Sequence, residues 1–152
     1  MMMRTHLVIA IFVMALFLPH ISNLFIFIPI VLLATLLPDI DTGFSTLGKR
    51  KETQIVRFLV KHRGILHSLT FCILVSLVLA IFLPILALPF FLGYSIHLFA
   101  DSFSIEGIRP FWPLKISSKW KIRTGGLIET NVFILFLILD LLVLFFVIKG
   151  ML

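Results

Sequence analysis

ILHSLTFCILVSLVLAIFLPILALPFFLGYSIHLFADSF, residues 65–103, decides the fold. It carries no lysine or arginine, and its one acidic residue is Asp101. Pro84 divides it into two apolar runs, Ile65–Leu83 and Ile85–Phe103. At 1.5 Å per residue each is long enough to cross about 30 Å of hydrocarbon as a helix. Pro84, with Pro89 further on, marks a tight turn between them. Within GYSIHLFADSF, residues 93–103, His97 and Asp101 stand one helical turn apart. In lipid both groups are expensive, so something must compensate them.

Working outward, three more apolar runs appear: Met1–Pro19, Ile21–Leu37 and Leu127–Ile148. The last is also long enough to span. The first two are marginal and read as a short hairpin that thins the bilayer or stops short of crossing it. The sequence is 61% hydrophobic and 13% charged, with Phe at 17 of its 152 positions, more apolar surface than a soluble domain of this size hides. The expected class is therefore an all-α polytopic membrane protein of five helices, forming a single domain over residues 1–152. The start, MMMRTHLVIAIFVMALFLPH, has the charge-then-apolar form of a signal peptide. It lacks a small-x-small cleavage site and reads as an uncleaved first helix. The lone cysteine, Cys72, excludes an internal disulfide and fills apolar space.

The basic residues give the orientation. Arg4, the group Lys49, Arg50, Lys51, Arg57, Lys61 and Arg63, and the group Arg109, Lys115, Lys119, Lys121 and Arg123 fall on one side of five spans. Only Lys149 falls on the other. The positive-inside rule makes the crowded side cytoplasmic, so the net charge of +6 meets anionic headgroups rather than nucleic acid.

The unusual polar residues share that side. His6 opens the first helix, and Asp39 and Asp41 follow the second in LLPDID. His62 and His67 bracket the start of the third in HRGILHS, His97 and Asp101 end the fourth, and Glu129 starts the fifth. The i, i+4 pair His97 and Asp101 shares a helix face. Asp39 and Asp41 would diverge by about 200° on a helix. Pro38 disfavours helix at Leu37, and an extended exit would let both point one way. A bend at Gly64 would let His62 and His67 both turn inward. Imidazole with carboxylate suits zinc, manganese or iron, and eight candidate groups provide for about two or three divalent ions.

Each motif has a plainer reading: a helix-stitching hydrogen bond for His97 with Asp101, an acidic helix exit for LLPDID, a basic juxtamembrane loop for HRGILH. The last lacks the glutamate of HExxH, which argues against a zincin-like protease. Their gathering into one layer is what favours a metal site. His20 lies at the opposite face. Asp140 lies about 16 Å deeper than Glu129, too far to join.

The Thr-His start, LLPDID, HRGxxHS and HxxxD, in this order from Thr5 to about Glu129, resemble the YdjM-like family of predicted membrane-bound metal-dependent hydrolases. Some of its members are described as LexA-regulated inner-membrane proteins. Carried onto this chain, the resemblance marks His6, Asp39, Asp41, His62, Arg63, Gly64, His67, Ser68, His97, Asp101 and Glu129. Thr42 stands where a histidine is frequent, and Leu66, Ile96 and Ser104 replace Thr, Ser and Thr. These departures touch substrate detail more than ligation. More distantly, the family is grouped with zinc-dependent phospholipase C and P1-type nucleases, which implies phosphate-ester cleavage by analogy.

The expected function is thus a hydrolase of the inner membrane, with its N-terminus and metal site facing the cytoplasm. It would cleave a phosphate ester of a membrane lipid, such as a phospholipid or polyprenyl phosphate, with metal-activated water. His6, Asp39, Asp41, His62, His67, His97 and Asp101 would ligate, Asp41 or Glu129 would act as base, and Arg63 would stabilise developing charge. The rival from another class is a non-enzymatic metal-binding transporter or sensor. A transporter would place its ligands near the midplane with access from both faces. A third reading is a scaffold with a structural metal.

Overall fold

A computed structural model describes residues 1–39 and 65–150. The described residues form five α-helices, α1 (Met3–Phe17), α2 (Leu24–Leu36), α3 (Leu69–Phe82), α4 (Pro84–Ser102) and α5 (Leu127–Ile148). Short 3₁₀ turns cover Leu18–His20, Leu37–Asp39 and Ile65–His67. No strand is formed among the described residues. The boundaries follow local chemistry. Asn23 caps α2 by accepting from the Ile26 N–H at 3.3 Å, and Ser68 caps α3 by accepting from the Phe71 N–H at 3.1 Å. Pro84 opens α4 at a position whose N–H would have no helical partner anyway.

Two lengths differ from the sequence expectation. The run Ile65–Leu83 yields a helix of only 14 residues, about 21 Å long, because Ser68 delays its start and Leu83 ends it. The first run, expected to be marginal, continues through its 3₁₀ turn and gives an 18-residue apolar stretch, Met3–His20. Three stretches are therefore long and apolar enough to cross a membrane: Met3–His20, Pro84–Ser102 and Leu127–Val147. The expected extended exit from α2 is also corrected. Leu37 keeps helical dihedrals (φ −59°, ψ −40°), and the chain tightens into a 3₁₀ turn through Asp39.

Helix α4 is the centre of the bundle, packed against α2, α3 and α1, while α1 also packs on α5 and α2. Its core with α2 and α3 is Ala34, Cys72, Phe90, Tyr94 and Leu98, so Cys72 is the space-filler its sequence context implied. Gly93 makes the closest approach. A Cβ there would lie 2.2 Å from the Val31 carbonyl oxygen, so α2 and α4 meet backbone to backbone. Thr35 reinforces the crossing, its hydroxyl donating to the carbonyls of Val31 at 2.8 Å and Gly93 at 3.2 Å. The outward surface is apolar, with Phe25, Ile81 and Phe82 at 95%, 74% and 74% exposure. That composition suits hydrocarbon and not water.

The polar segment after α4 is more ordered than its sequence announced. Ile108 and Ser118 exchange backbone hydrogen bonds at 2.8 and 2.9 Å, and Ile105 N–H donates to Ile122 at 3.0 Å. Gly107, at φ 65°, lets the backbone pass close under Ser118 and Lys119. The Pro110 carbonyl accepts the N–H groups of Leu69 and Thr70 at 2.8 and 3.2 Å, which satisfies the first turn of α3. The segment thereby ties the start of α3 to the end of α4.

Candidate metal centre

The starts of α1, α3 and α5 and the ends of α2 and α4 meet at one end of the bundle, because the chain alternates direction at each turn. His6 of α1, Asp39 after α2, His67 before α3, and His97 and Asp101 of α4 converge there. His6 Nε2 lies 3.3 Å from Asp101 Oδ1, and His97 Nε2 lies 3.9 Å from Asp101 Oδ2. Asp39 Oδ1 is 3.8 Å from Nε2 of both His67 and His97. The rings of His6 and His97 stack at 4.1 Å, and His67 meets His97 edge-on at 5.6 Å. His97 is shared by two triads, His6–Asp39–His97 and His67–His97–Asp101, whose ligand atoms lie within 4.8 Å of one another.

Four of the five side chains are at most 1% exposed, and Asp39, at 29%, opens the cluster outward. The Met1 ammonium also pairs with Asp101.

The electrostatics centre on His97. Its Nδ1 lies 2.8 Å from the Thr35 carbonyl oxygen, an acceptor, so Nδ1 carries the hydrogen and Nε2 is left with the lone pair in the neutral ring. Nε2 has no hydrogen bond and faces carboxylate oxygens of Asp39 and Asp101. A lone pair opposed to two carboxylates is repulsive until a cation lies among them. His6 Nε2, which faces Asp101, is likewise buried without a hydrogen bond. An unmade bond of this kind costs about 1–3 kcal/mol. Ligation by a divalent ion removes that cost. A histidine held at one nitrogen by a backbone carbonyl is also the usual support for a metal ligand. The separations of 3.3–3.9 Å approach the ~3.4 Å between ligand atoms of a tetrahedral ion. The donor set therefore fits a divalent metal.

Glu129, a candidate base, is held by backbone amides. Its Oε1 accepts the Met2 N–H and its Oε2 accepts the Gly125 N–H at 2.6 Å, so it clamps the start of α1 to the start of α5. It belongs to neither triad. Glu129→Gln is expected to lower stability by about 1.5–3 kcal/mol, the worth of hydrogen bonds to a charged group, while bound metal is retained. Thermal unfolding and metal stoichiometry on one preparation test this. Metal loss at unchanged melting temperature would make Glu129 a ligand instead.

Asp41, His62 and Arg63, with Gly64, lie outside the described residues. His20 stands at the far end of α1, and Asp140 lies within α5 with its Oδ1 lacking a hydrogen bond; neither joins the cluster. Sequence reasoning missed Thr35 and Gly93. Both left a trace: Thr35 is the polar residue in an apolar LLATLL run, four before Asp39, and Gly93 is the small residue four before His97.

An all-helical bundle with apolar flanks and a buried histidine–carboxylate cluster at one end defines an integral membrane protein. The sequence model of the YdjM inner membrane protein family matches residues 1–151, and the chain belongs to that family. It is 34% identical over 105 residues to the inner membrane protein YdjM of Escherichia coli (strain K12), covering 63% of this chain and 52% of that protein. The inner membrane protein YdjM of Shigella flexneri matches to the same extent. The chain thus spans about half the length of the curated relatives it matches. No solved structure matches.

Proposed function

We propose that the cluster holds divalent metal and that the protein hydrolyses a phosphate ester of a membrane lipid on the cytoplasmic side of the inner membrane. The observation that carries this reading is His97, fixed on Thr35 through Nδ1 with Nε2 aimed at Asp39 and Asp101. His6, His67, His97, Asp39 and Asp101 would hold the ion. The metal, when bound, supplies a Lewis acid that activates water near neutral pH and polarises a phosphoryl oxygen. Zinc is the first choice, with manganese and iron as alternatives. About two or three ions would draw on Asp41 and His62 as well.

The chain's own part is positional. The Thr35 carbonyl sets the tautomer of His97. The two oxygens of Asp101 face His6 and His97 separately, so an ion bound among them would draw on this carboxylate and both imidazoles. Asp39, the most exposed of the five, would be the one that incoming water reaches and would suit the role of proton acceptor. The crowding of basic residues on the same side favours the cytoplasmic orientation. The cluster's place at helix ends, away from the middle of the spans, favours hydrolysis at the surface over transport.

The test is metal content and phosphate release on protein purified in mild detergent. Phosphatidic acid and a polyprenyl phosphate are offered in mixed micelles, with a soluble nitrophenyl phosphate beside them. Bound zinc, manganese or iron is expected. Chelation should reduce lipid phosphate release by more than about a hundredfold, beyond the cost of losing an outer-shell partner. A protein that stays metal-free after reconstitution with each ion overturns the reading. Release from the soluble ester alone overturns its lipid part.

A further inference from the structure

On the other side of α4 from the cluster, an apolar groove of about 550 Å³ runs between α1, α4 and α5. Ile9, Phe12 and Val13 of α1, Ser95 and Phe99 of α4, and Phe136 of α5 form its walls. At the end where the cluster lies, Ile108 and Ser118 of the ordered polar segment close over it. We propose that this groove seats one hydrocarbon chain of an anionic membrane lipid, whose headgroup lies at the basic segment 109–123, at the end of the bundle that carries the metal cluster. The inference deepens the reading of the cluster as a lipid phosphoesterase, and rests on it for the fate of that lipid.

The first argument is what can fill such a space. The volume falls within the ~300–1,000 Å³ of ligand sites. A lining so largely apolar offers water few partners, and an empty groove would forfeit dispersion contacts along its length. Helices α1, α4 and α5 are the elements long and apolar enough to cross a membrane, so the groove lies on the embedded part of the bundle. There the material at hand is hydrocarbon chain.

The second argument is charge. Arg109 stands between the lining residues Ile108 and Pro110, and Lys119 follows Ser118. With Lys115, Lys121 and Arg123 these make five exposed cations, against Glu106 as the acidic neighbour in the segment. Trp112 and Trp120, 38% and 66% exposed, are the amphipathic rings expected at headgroup level. The mouth of the groove is therefore complementary to an anionic head.

The third argument is continuity. Ser102 lines the groove and follows Asp101, while Ile96 and Leu98 line it on either side of His97. One helix carries the metal ligands on one face and the groove on the other, so the groove's mouth and the cluster share one end of the bundle.

The experiment uses the full chain in phosphatidylcholine nanodiscs doped with phosphatidylglycerol bearing a diazirine on one acyl chain. Adducts mapped by mass spectrometry are expected at residues 9–13 and 95–99, about tenfold above the outer face of α3 at Ile81 and Phe82. Ser95→Trp, which fills the groove, should bring capture down to the α3 level with bound metal unchanged. Arg109→Gln with Lys119→Gln alters only exposed side chains and is expected to cut phosphatidylglycerol capture about tenfold. The same pair should leave capture of a diazirine phosphatidylcholine unaffected. Uniform labelling of every lipid-facing helix, or equal capture of the neutral probe, overturns the proposal and leaves annular lipid only. Phosphate release separates the two readings. Groove labelling without release sinks the hydrolase and keeps the groove; release without groove labelling does the reverse.

Discussion

A His97→Ala variant is expected to lose bound metal and phosphate release together while still inserting in the membrane. His97 is the residue both triads share, and its ring contacts those of His6 and His67. Removing it takes away the oriented Nε2 and leaves Asp39 and Asp101 facing each other across the gap. The loss of metal affinity should exceed about a hundredfold, because even an outer-shell partner is worth 10–100-fold. Metal measured by mass spectrometry, beside circular dichroism for helix content, checks it. His20→Ala, at the opposite end of the bundle, is the matched control and should retain full metal. Stoichiometric metal in His97→Ala would show that the ions sit elsewhere.

The second large effect is expected at Gly93→Ala, one helical turn before His97 and not itself a ligand. The added Cβ would stand 2.2 Å from the Val31 carbonyl oxygen, and that obstacle is backbone, which cannot rotate away. Helices α2 and α4 must then separate, at a cost of about 1–3 kcal/mol for overpacking. Thr35 rides on α2 and His97 on α4, so the 2.8 Å contact that sets the histidine tautomer lengthens with the same motion. The variant should therefore melt earlier and bind metal more weakly. Thermal unfolding and a metal titration on the same preparation test both. Unchanged metal affinity in a destabilised protein would uncouple the helix crossing from the site.

Metal binding carries a sign with pH as well. Imidazole ligates as the neutral ring and carboxylate as the anion, so ligation displaces protons. Affinity is expected to fall as pH drops, and a metal titration across pH detects it.

Much of the architecture was legible because bilayers constrain sequences in one dimension. Pro84 and the polar flanks marked most helix ends within a residue or two, with the starts of α2 and α3 lying three and four residues further on. The alternation of five runs then placed His6, Asp39, His67, His97 and Asp101 in one layer before any contact was known. Lengths were read less well at α3, where Ser68 captures the Phe71 amide and shortens the helix, a choice that hydropathy does not encode. The order of the polar segment after α4 was also hidden. It depends on Gly107 passing beneath Ser118 and on the Pro110 carbonyl capping α3, both contacts between residues distant in the chain.

Glu129 shows the limit from the other side. Its position at the head of α5 made it a candidate base, and only the tertiary structure shows its two oxygens held by backbone amides of Met2 and Gly125. A carboxylate's role depends on which donors reach it.

The sequence by itself determined that this chain is a helical membrane protein with His6, Asp39, His67, His97 and Asp101 gathered at one end. Hydrophobic length and charge sidedness are properties of consecutive residues, and lipid enforces them. Only the tertiary structure decided which nitrogen His97 presents, because that choice is made by a carbonyl 62 residues earlier in the chain. It also decided that the other face of α4 is a groove, since a groove exists only where separate helices fail to fill the space between them.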